Sequence, residues 1–227
     1  MATSAIATRQ KVWQEWLGII SQDIFTVYFW RATWLTLGDI IRGNSDIEPS
    51  YLFGYMSNVY GSSQAVAVRR LADERADVVS LAVLIKDMKR NARDITADWW
   101  TSLNPAAEAR DFRRFAAPGT NCFDVAIASS DLARLRAAVA QVKQYVDQHV
   151  AHRDRNRTKD VPTFADIHAA VDVVGDVFRT YHTLLTTAEM TSLVPEPDLD
   201  WFQPLTVPWV KAGLVPRLRG TYGADPL

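Results

Sequence analysis

Two histidines three residues apart, His149 and His152, stand in the stretch QYVDQHVAHRDRNR, and Arg153, Arg155 and Arg157 follow at alternate positions. Imidazole changes its proton near neutrality, so such a pair can act as general acid or base. Guanidinium is a planar fork that grips a phosphate through parallel hydrogen bonds, so the arginines could track a phosphodiester backbone. A metal ion is the alternative, since histidines at i and i+3 share a helix face, and His168 with Asp172 repeats the idea at i and i+4. A third account needs no chemistry. Helix-end histidines are favoured by the macrodipole, and Asp154 and Asp160 partly cancel the charge of the arginine run.

The element that must position these groups is the clearest helix in the chain. Leu132, Leu135, Val139, Val142 and Val146 recur in steps of three and four, and Asp131 is expected to cap its start. At about 100° per residue, Tyr145, His149 and His152 fall along one border of that stripe, where an imidazole is partly desolvated yet within reach of a polar ligand.

The remaining segments read as further helices. From about Thr8 to Ile41 apolar residues recur at helical spacing (Val12, Trp13, Trp16, Leu17, Ile20, Ile24, Tyr28, Leu35, Ile40), as one long helix or two broken near Ser21. Phe25, Phe29, Trp30 and Trp34 widen the stripe and predict cover on more than one side. Gly43-Asn44 predicts a stop through the left-handed conformation, and Ser50 predicts the start of a helix to about Leu71. Asp73 is expected to begin another, ending near Asn91. Asn104-Pro105 and Pro118-Gly119 bound a loop holding a short helix, and Thr163 caps a helix through Ile167, Val171, Val174, Phe178 and Leu185. No strand alternation of useful length appears, so the class is all-α, an antiparallel bundle of about four to six helices over residues 1–190. A proline-rich tail, 191–227, is expected to pack on it, with Trp201 and Trp209 as staples or as a partner-binding strap.

Composition narrows the function. The chain has 227 residues, is 48% hydrophobic and carries a formal charge of -1, so any nucleic-acid contact must come from a local patch. A single cysteine, Cys122, excludes an internal disulfide framework, and apolar stretches broken by Asp, Gln or Arg predict a cytoplasmic protein without a membrane span. There is no HExxH motif, no glycine-rich phosphate loop and no nucleophile elbow, so neither metal nor other cofactor is expected.

The segment YVDQHVAHRDR, followed by a helix rich in Val and Phe, resembles the signature helix of HEPN domains, in particular their abortive-infection, AbiU-like branch. The upstream segment NVYGSSQAVAVRRLADERADVVSLAVLI is similar to the same branch through Arg69, Arg70, Leu71, Asp73, Asp77, Ser80 and Leu81. The resemblance spans about Thr8 to Thr187 and implies an all-helical homodimer from a prokaryotic defence or toxin-antitoxin setting. Many such proteins are metal-independent endoribonucleases, with an Arg followed after four to six residues by a His, and two copies facing each other across the dimer. By that match His152 takes the catalytic histidine's place, and the positions where the arginine should stand hold Asp147, Val146 and Tyr145. Lacking one such electrostatic donor typically costs about 10²- to 10³-fold in rate.

Replacements can come from two directions. With His149 as the catalytic histidine, Lys143 has acceptable spacing, though it is a point charge without a fork. Otherwise Arg153, Arg155, Arg157, or Arg69 and Arg70 from the preceding helix, would supply the cation to a groove lined by Tyr145 and His149. The leading expectation is therefore a protein acting on RNA; the alternative is a catalytically silent relative that pairs with RNA, an antitoxin or another defence partner.

Overall fold

The computed structural model describes residues 2–44, 50–151, 154–155, 159–195 and 203–207. Six α-helices lie among them: α1 (Ala2–Gly43), α2 (Tyr51–Leu71), α3 (Leu81–Arg90), α4 (Ala97–Ser102), α5 (Val125–Tyr145) and α6 (Phe164–Thr186). Among the described residues there is no strand, only two isolated bridges, Thr96 to Cys122 and Ala116 to Phe123. Residues 1–193 form one compact unit and 194–227 a second, of which 194–195 and 203–207 are described, with a 3-10 turn at Gln203–Thr206; Trp201 and Trp209 lie outside the described residues.

The first unit is an all-α bundle whose long members α1, α2, α5 and α6 pack on one another, with α3 against α1 and α5. Helix α5 buries the whole predicted stripe of Leu132, Leu135, Val139, Val142 and Val146. Helix α6 buries Ile167, Val171, Val174, Phe178 and Leu185 against it, each worth roughly 1.5–3 kcal/mol relative to exposure. Thr163 starts α6 with a full capping box: its hydroxyl accepts from Asp166 N, and the Asp166 carboxylate accepts from Thr163 N.

Helix α1 is continuous. Ser21 does not break it, because its hydroxyl bonds back to the Leu17 carbonyl at 2.7 Å and stays within the helical ladder. Trp13 to Tyr28 is the buried stretch, whereas Leu35 and Trp30 are exposed, so the cover expected around the aromatic half is incomplete within one chain. The helix ends at Gly43 as expected but without a left-handed cap: Asn44 N bonds the Ile41 carbonyl, and Gly119 is the described glycine with positive φ.

Two predicted starts move. Asp73 does not begin a helix; its carboxylate accepts from Arg75 N at 3.0 Å in a turn, and Ser80 caps α3 by accepting from Val83 N at 3.1 Å. Asp131 is not a cap either. Asp124 caps α5 through Ala126 N at 2.8 Å, and Asp131 lies buried about two turns further on, paired with Arg134 at 3.1 Å. The loop between α2 and α3 is tied down by Glu74, which accepts from Arg136 of α5 at 2.5 and 2.8 Å and also pairs with Lys86.

Candidate functional site

The α-helical step stops at Tyr145. Residues Val146–Val150 form a π turn closed by the bond from Ala151 N to the Val146 carbonyl at 2.8 Å. A π turn uses more residues per turn than an α-helix, so the 100° step no longer places the residues beyond Tyr145, and such turns recur at functional sites. Tyr145 and His149 nevertheless share one face: their rings stack with centroids 5.4 Å apart and planes 26° from parallel. His152, Arg153 and Arg157 lie outside the described residues. Arg155 is exposed just beyond the π turn.

The C-terminal end of α2 runs beside this turn. There Arg69, Arg70, Asp73 and Arg75 line a cavity of about 410 Å³ whose apolar surface is Val66, Val78, Val79, Val146 and Val150. The two elements that carried the sequence resemblance thus meet at one cavity, lined by cations and valines together.

Every one of those cations is held by a carboxylate. Arg69 Nε donates to Asp147 Oδ1 at 2.6 Å, and Lys143 Nζ donates to Asp147 Oδ2 at 2.8 Å. Arg69 also reaches Asp73 at 3.4 Å, and Arg75 pairs with the same carboxylate at 3.1 Å. Arg70, which also lines the cavity, pairs with Asp23 of α1 at 2.5 Å. Burial pushes the Asp147 carboxyl up, but hydrogen bonds from Lys143 and Arg69 outweigh it and hold the group below its ordinary value. Asp73 is governed in the same way, burial being outweighed by Arg75 and Arg69.

Asp147 is therefore not a bare repulsive charge at the position where the resemblance calls for arginine. It gathers two cations from different helices, and one of them is a guanidinium. Arg75 and Asp23 were not among the residues singled out by spacing. Arg75 is two residues from Asp73, a spacing that would put the two on opposite sides of a helix, so it is the turn that brings them together.

The histidine and acid pair of α6 serves the bundle. His168 Nε2 lies 2.6 Å from the Tyr60 hydroxyl, and Asp172 accepts from Arg31 at 2.6 Å. Burial lowers His168 and raises Tyr60 to about 12, so at neutral pH both partners of this hydrogen bond are neutral. No group of three or more His, Cys, Asp or Glu able to hold a metal ion exists among the described residues, and no described helix is long and apolar enough to cross a membrane.

A six-helix bundle with a cation-lined cavity next to a histidine-bearing helix end is the setting that the two matching segments call for. The family comparison gives the same answer over most of the chain: the family model HEPN_AbiU2, described as AbiU2, matches residues 12–200. The chain belongs to this AbiU2 branch of the HEPN proteins. No curated protein and no solved structure matches it.

Proposed function

We propose that this HEPN-family protein binds RNA at the junction of α2 with the π turn, as a homodimer in a phage-defence or toxin-antitoxin setting, and does not cleave it efficiently. One observation carries this reading: the arginine position of the family motif holds Asp147, and that carboxylate occupies both nearby cations, Arg69 at 2.6 Å and Lys143 at 2.8 Å. A phosphodiester in a two-residue ribonuclease site needs a free fork opposite the proton-transferring histidine, and a fork already bound to a carboxylate offers less charge to the developing oxyanion. Binding has weaker demands. Exposed ion pairs contribute only about 0–1 kcal/mol, so a phosphate can exchange for a carboxylate at little cost.

An exposed apolar run on α2, Leu52, Tyr55 and Val59, supports pairing with a second copy. With Trp30 and Trp34 of α1, Tyr55 and Val59 line a groove of about 380 Å³ with almost no polar surface. An antitoxin or other defence protein is the further partner that the branch suggests.

A second reading, a metal-independent endoribonuclease with His152 transferring the proton and His149 lining the groove, is favoured by the placement of Arg69. Its guanidinium comes from another helix to residue 147, the point along the chain where the motif needs a cation. The two separate in one assay. Purified protein and its His152→Ala variant are incubated with total RNA in chelator. The binding reading expects intact RNA in both; cleavage by the parent that is lost in the variant establishes the nuclease.

A further inference from the structure

Resting on the RNA-binding reading, we propose that Arg69 and Lys143 form a phosphate site which the chain closes with its own carboxylate, Asp147. The geometry is that of a bridged anion. Two oxygens of one group each take a hydrogen bond from a different cation, Oδ1 from Arg69 Nε at 2.6 Å and Oδ2 from Lys143 Nζ at 2.8 Å. The cations belong to different helices, α2 and α5, so the bridge is a tertiary contact that any anion with two free oxygens can reproduce. A backbone phosphate of RNA has two such oxygens.

The surroundings define the ligand further. Asp147 and Arg69 keep about a third of their side-chain surface exposed, 33% and 30%, and Lys143 keeps 58%, so the bridge is open to exchange from solvent. The other charges facing it are Asp73, 3.4 Å from Arg69, and Arg75, which neutralises Asp73 at 3.1 Å. With Asp147 displaced, the remaining group of Arg69, Lys143, Arg75 and Asp73 is net positive. The adjoining cavity of about 410 Å³ is lined by five valines, of which Val66 and Val150 are exposed to solvent, an apolar surface that suits the sugar and base of an unpaired nucleotide whose phosphate sits on the neighbouring cations. The site therefore takes single-stranded RNA, one phosphate at the bridge and one nucleoside on the valines, and Asp147 sets a threshold that the RNA must overcome.

The test uses the full chain and a fluorescent single-stranded RNA followed by anisotropy at several salt concentrations, with thermal melts to verify folding. Asp147→Asn removes the competing charge while keeping the side chain's shape. It is expected to bind about five- to tenfold tighter, as removal of one charge a few ångströms from a phosphate predicts. Its salt slope should be steeper by about 0.7, the increment for one more phosphate contact on a single strand. Asp147→Asn combined with Arg69→Gln and Lys143→Gln should lose that gain. Asp147→Ser, which leaves even less side chain, serves if the asparagine variant melts early.

Unchanged affinity and slope in a folded Asp147→Asn overturns the proposal, as does a gain that survives removal of both cations. Inorganic pyrophosphate, measured by calorimetry, separates this from failure of the RNA reading. If neither protein binds RNA while Asp147→Asn binds pyrophosphate more tightly through Arg69 and Lys143, the closed anion site stands and the RNA reading falls. If RNA binds parent and variant alike, the closed site falls and the RNA reading stands.

Discussion

Gly175, in the middle of α6, is where the helix pair α1–α6 leaves no room for a methyl group. A Cβ there would lie 1.9 Å from the Tyr28 hydroxyl, 2.7 Å from Tyr28 Cζ and 2.8 Å from Leu193 Cδ1, all far inside carbon contact distance. Tyr28 and Leu193 are both buried, and the Tyr28 hydroxyl donates to the Val171 carbonyl at 3.3 Å, so neither neighbour has an easy way out. Overpacking of this kind costs about 1–3 kcal/mol, and three simultaneous contacts put Gly175→Ala at the upper end. Alanine recovers about 1 kcal/mol of helix propensity, leaving a net loss of about 2 kcal/mol. For a chain of this length that is a fall in Tm of roughly 4–8 °C.

Gly61 in α2 is the control. Its added Cβ meets only the ring of Phe164, with Cε1 at 2.9 Å, and Phe164 is partly exposed and can swing away. Gly61→Ala should therefore stay within about 2 °C of the parent. Both are read by far-ultraviolet circular dichroism melts. The combination Tyr28→Phe with Gly175→Ala removes the 1.9 Å contact and should melt above the sum of the single effects. Equal shifts for the two glycines, or strict additivity with Tyr28→Phe, would refute the packing argument.

Two further outcomes follow from the ionisable groups. Burial holds His168 below its ordinary pKa, with Arg31 acting in the same sense and Asp172 against, and burial lowers His182 too. The unfolded chain then binds more protons, so stability should fall as pH drops below about 6.5, and His168→Gln should flatten that part of a Tm–pH profile; an unchanged profile would exclude His168 as a contributor. Glu74 is held at about 2, first by hydrogen bonding from Arg136 and then by Lys86, against an opposing effect of burial. A depressed carboxyl stabilises above its unfolded pKa, so this contribution should be complete above about 4.5 and lost as pH falls towards 2. Glu74→Gln should cost about 1–2 kcal/mol at neutral pH in urea unfolding, after discounting for its partial exposure, and a cost that persists undiminished at pH 2 would show that packing and not charge is responsible.

What could be read from the sequence is what local pattern determines. The α5 stripe is legible because an entirely buried face forces apolar residues into steps of three and four, and Thr163 with Asp166 is legible because both halves of a capping box lie within one turn. Asp73 and Asp131 are good caps by residue type and still fail, because a cap is decided by where packing starts a helix. The extra two turns or so of α5 bury Ala128 while leaving Val125 exposed, which is too weak a stripe to detect. The π turn is invisible for a related reason: Val142, Val146 and Val150 keep an i, i+4 spacing that an α-helix would also show.

The candidate site was half legible for a deeper reason. The motif reading assumes that histidine and cation sit on one helix, so it looks within six residues of His152 and finds Asp147 where an arginine is needed. Of the two cations that reach that point, Lys143 lies four residues away and is within reach of a spacing rule, whereas Arg69, the guanidinium, is 78 residues away on α2, and no spacing rule connects it. Arg69 and Arg70 stood out only through the second matching segment; which of them meets residue 147 depends on the rotation of α2 about its axis, fixed by burial of Ala65, Val68 and Leu71. With those three turned inward, Arg69 faces α5 and Arg70 faces α1, where Asp23 receives it. A core pattern of three apolar residues thus sends one arginine to Asp147 and the other to Asp23, although both line the cavity, so exchanging their partners would require turning the helix and exposing its buried face.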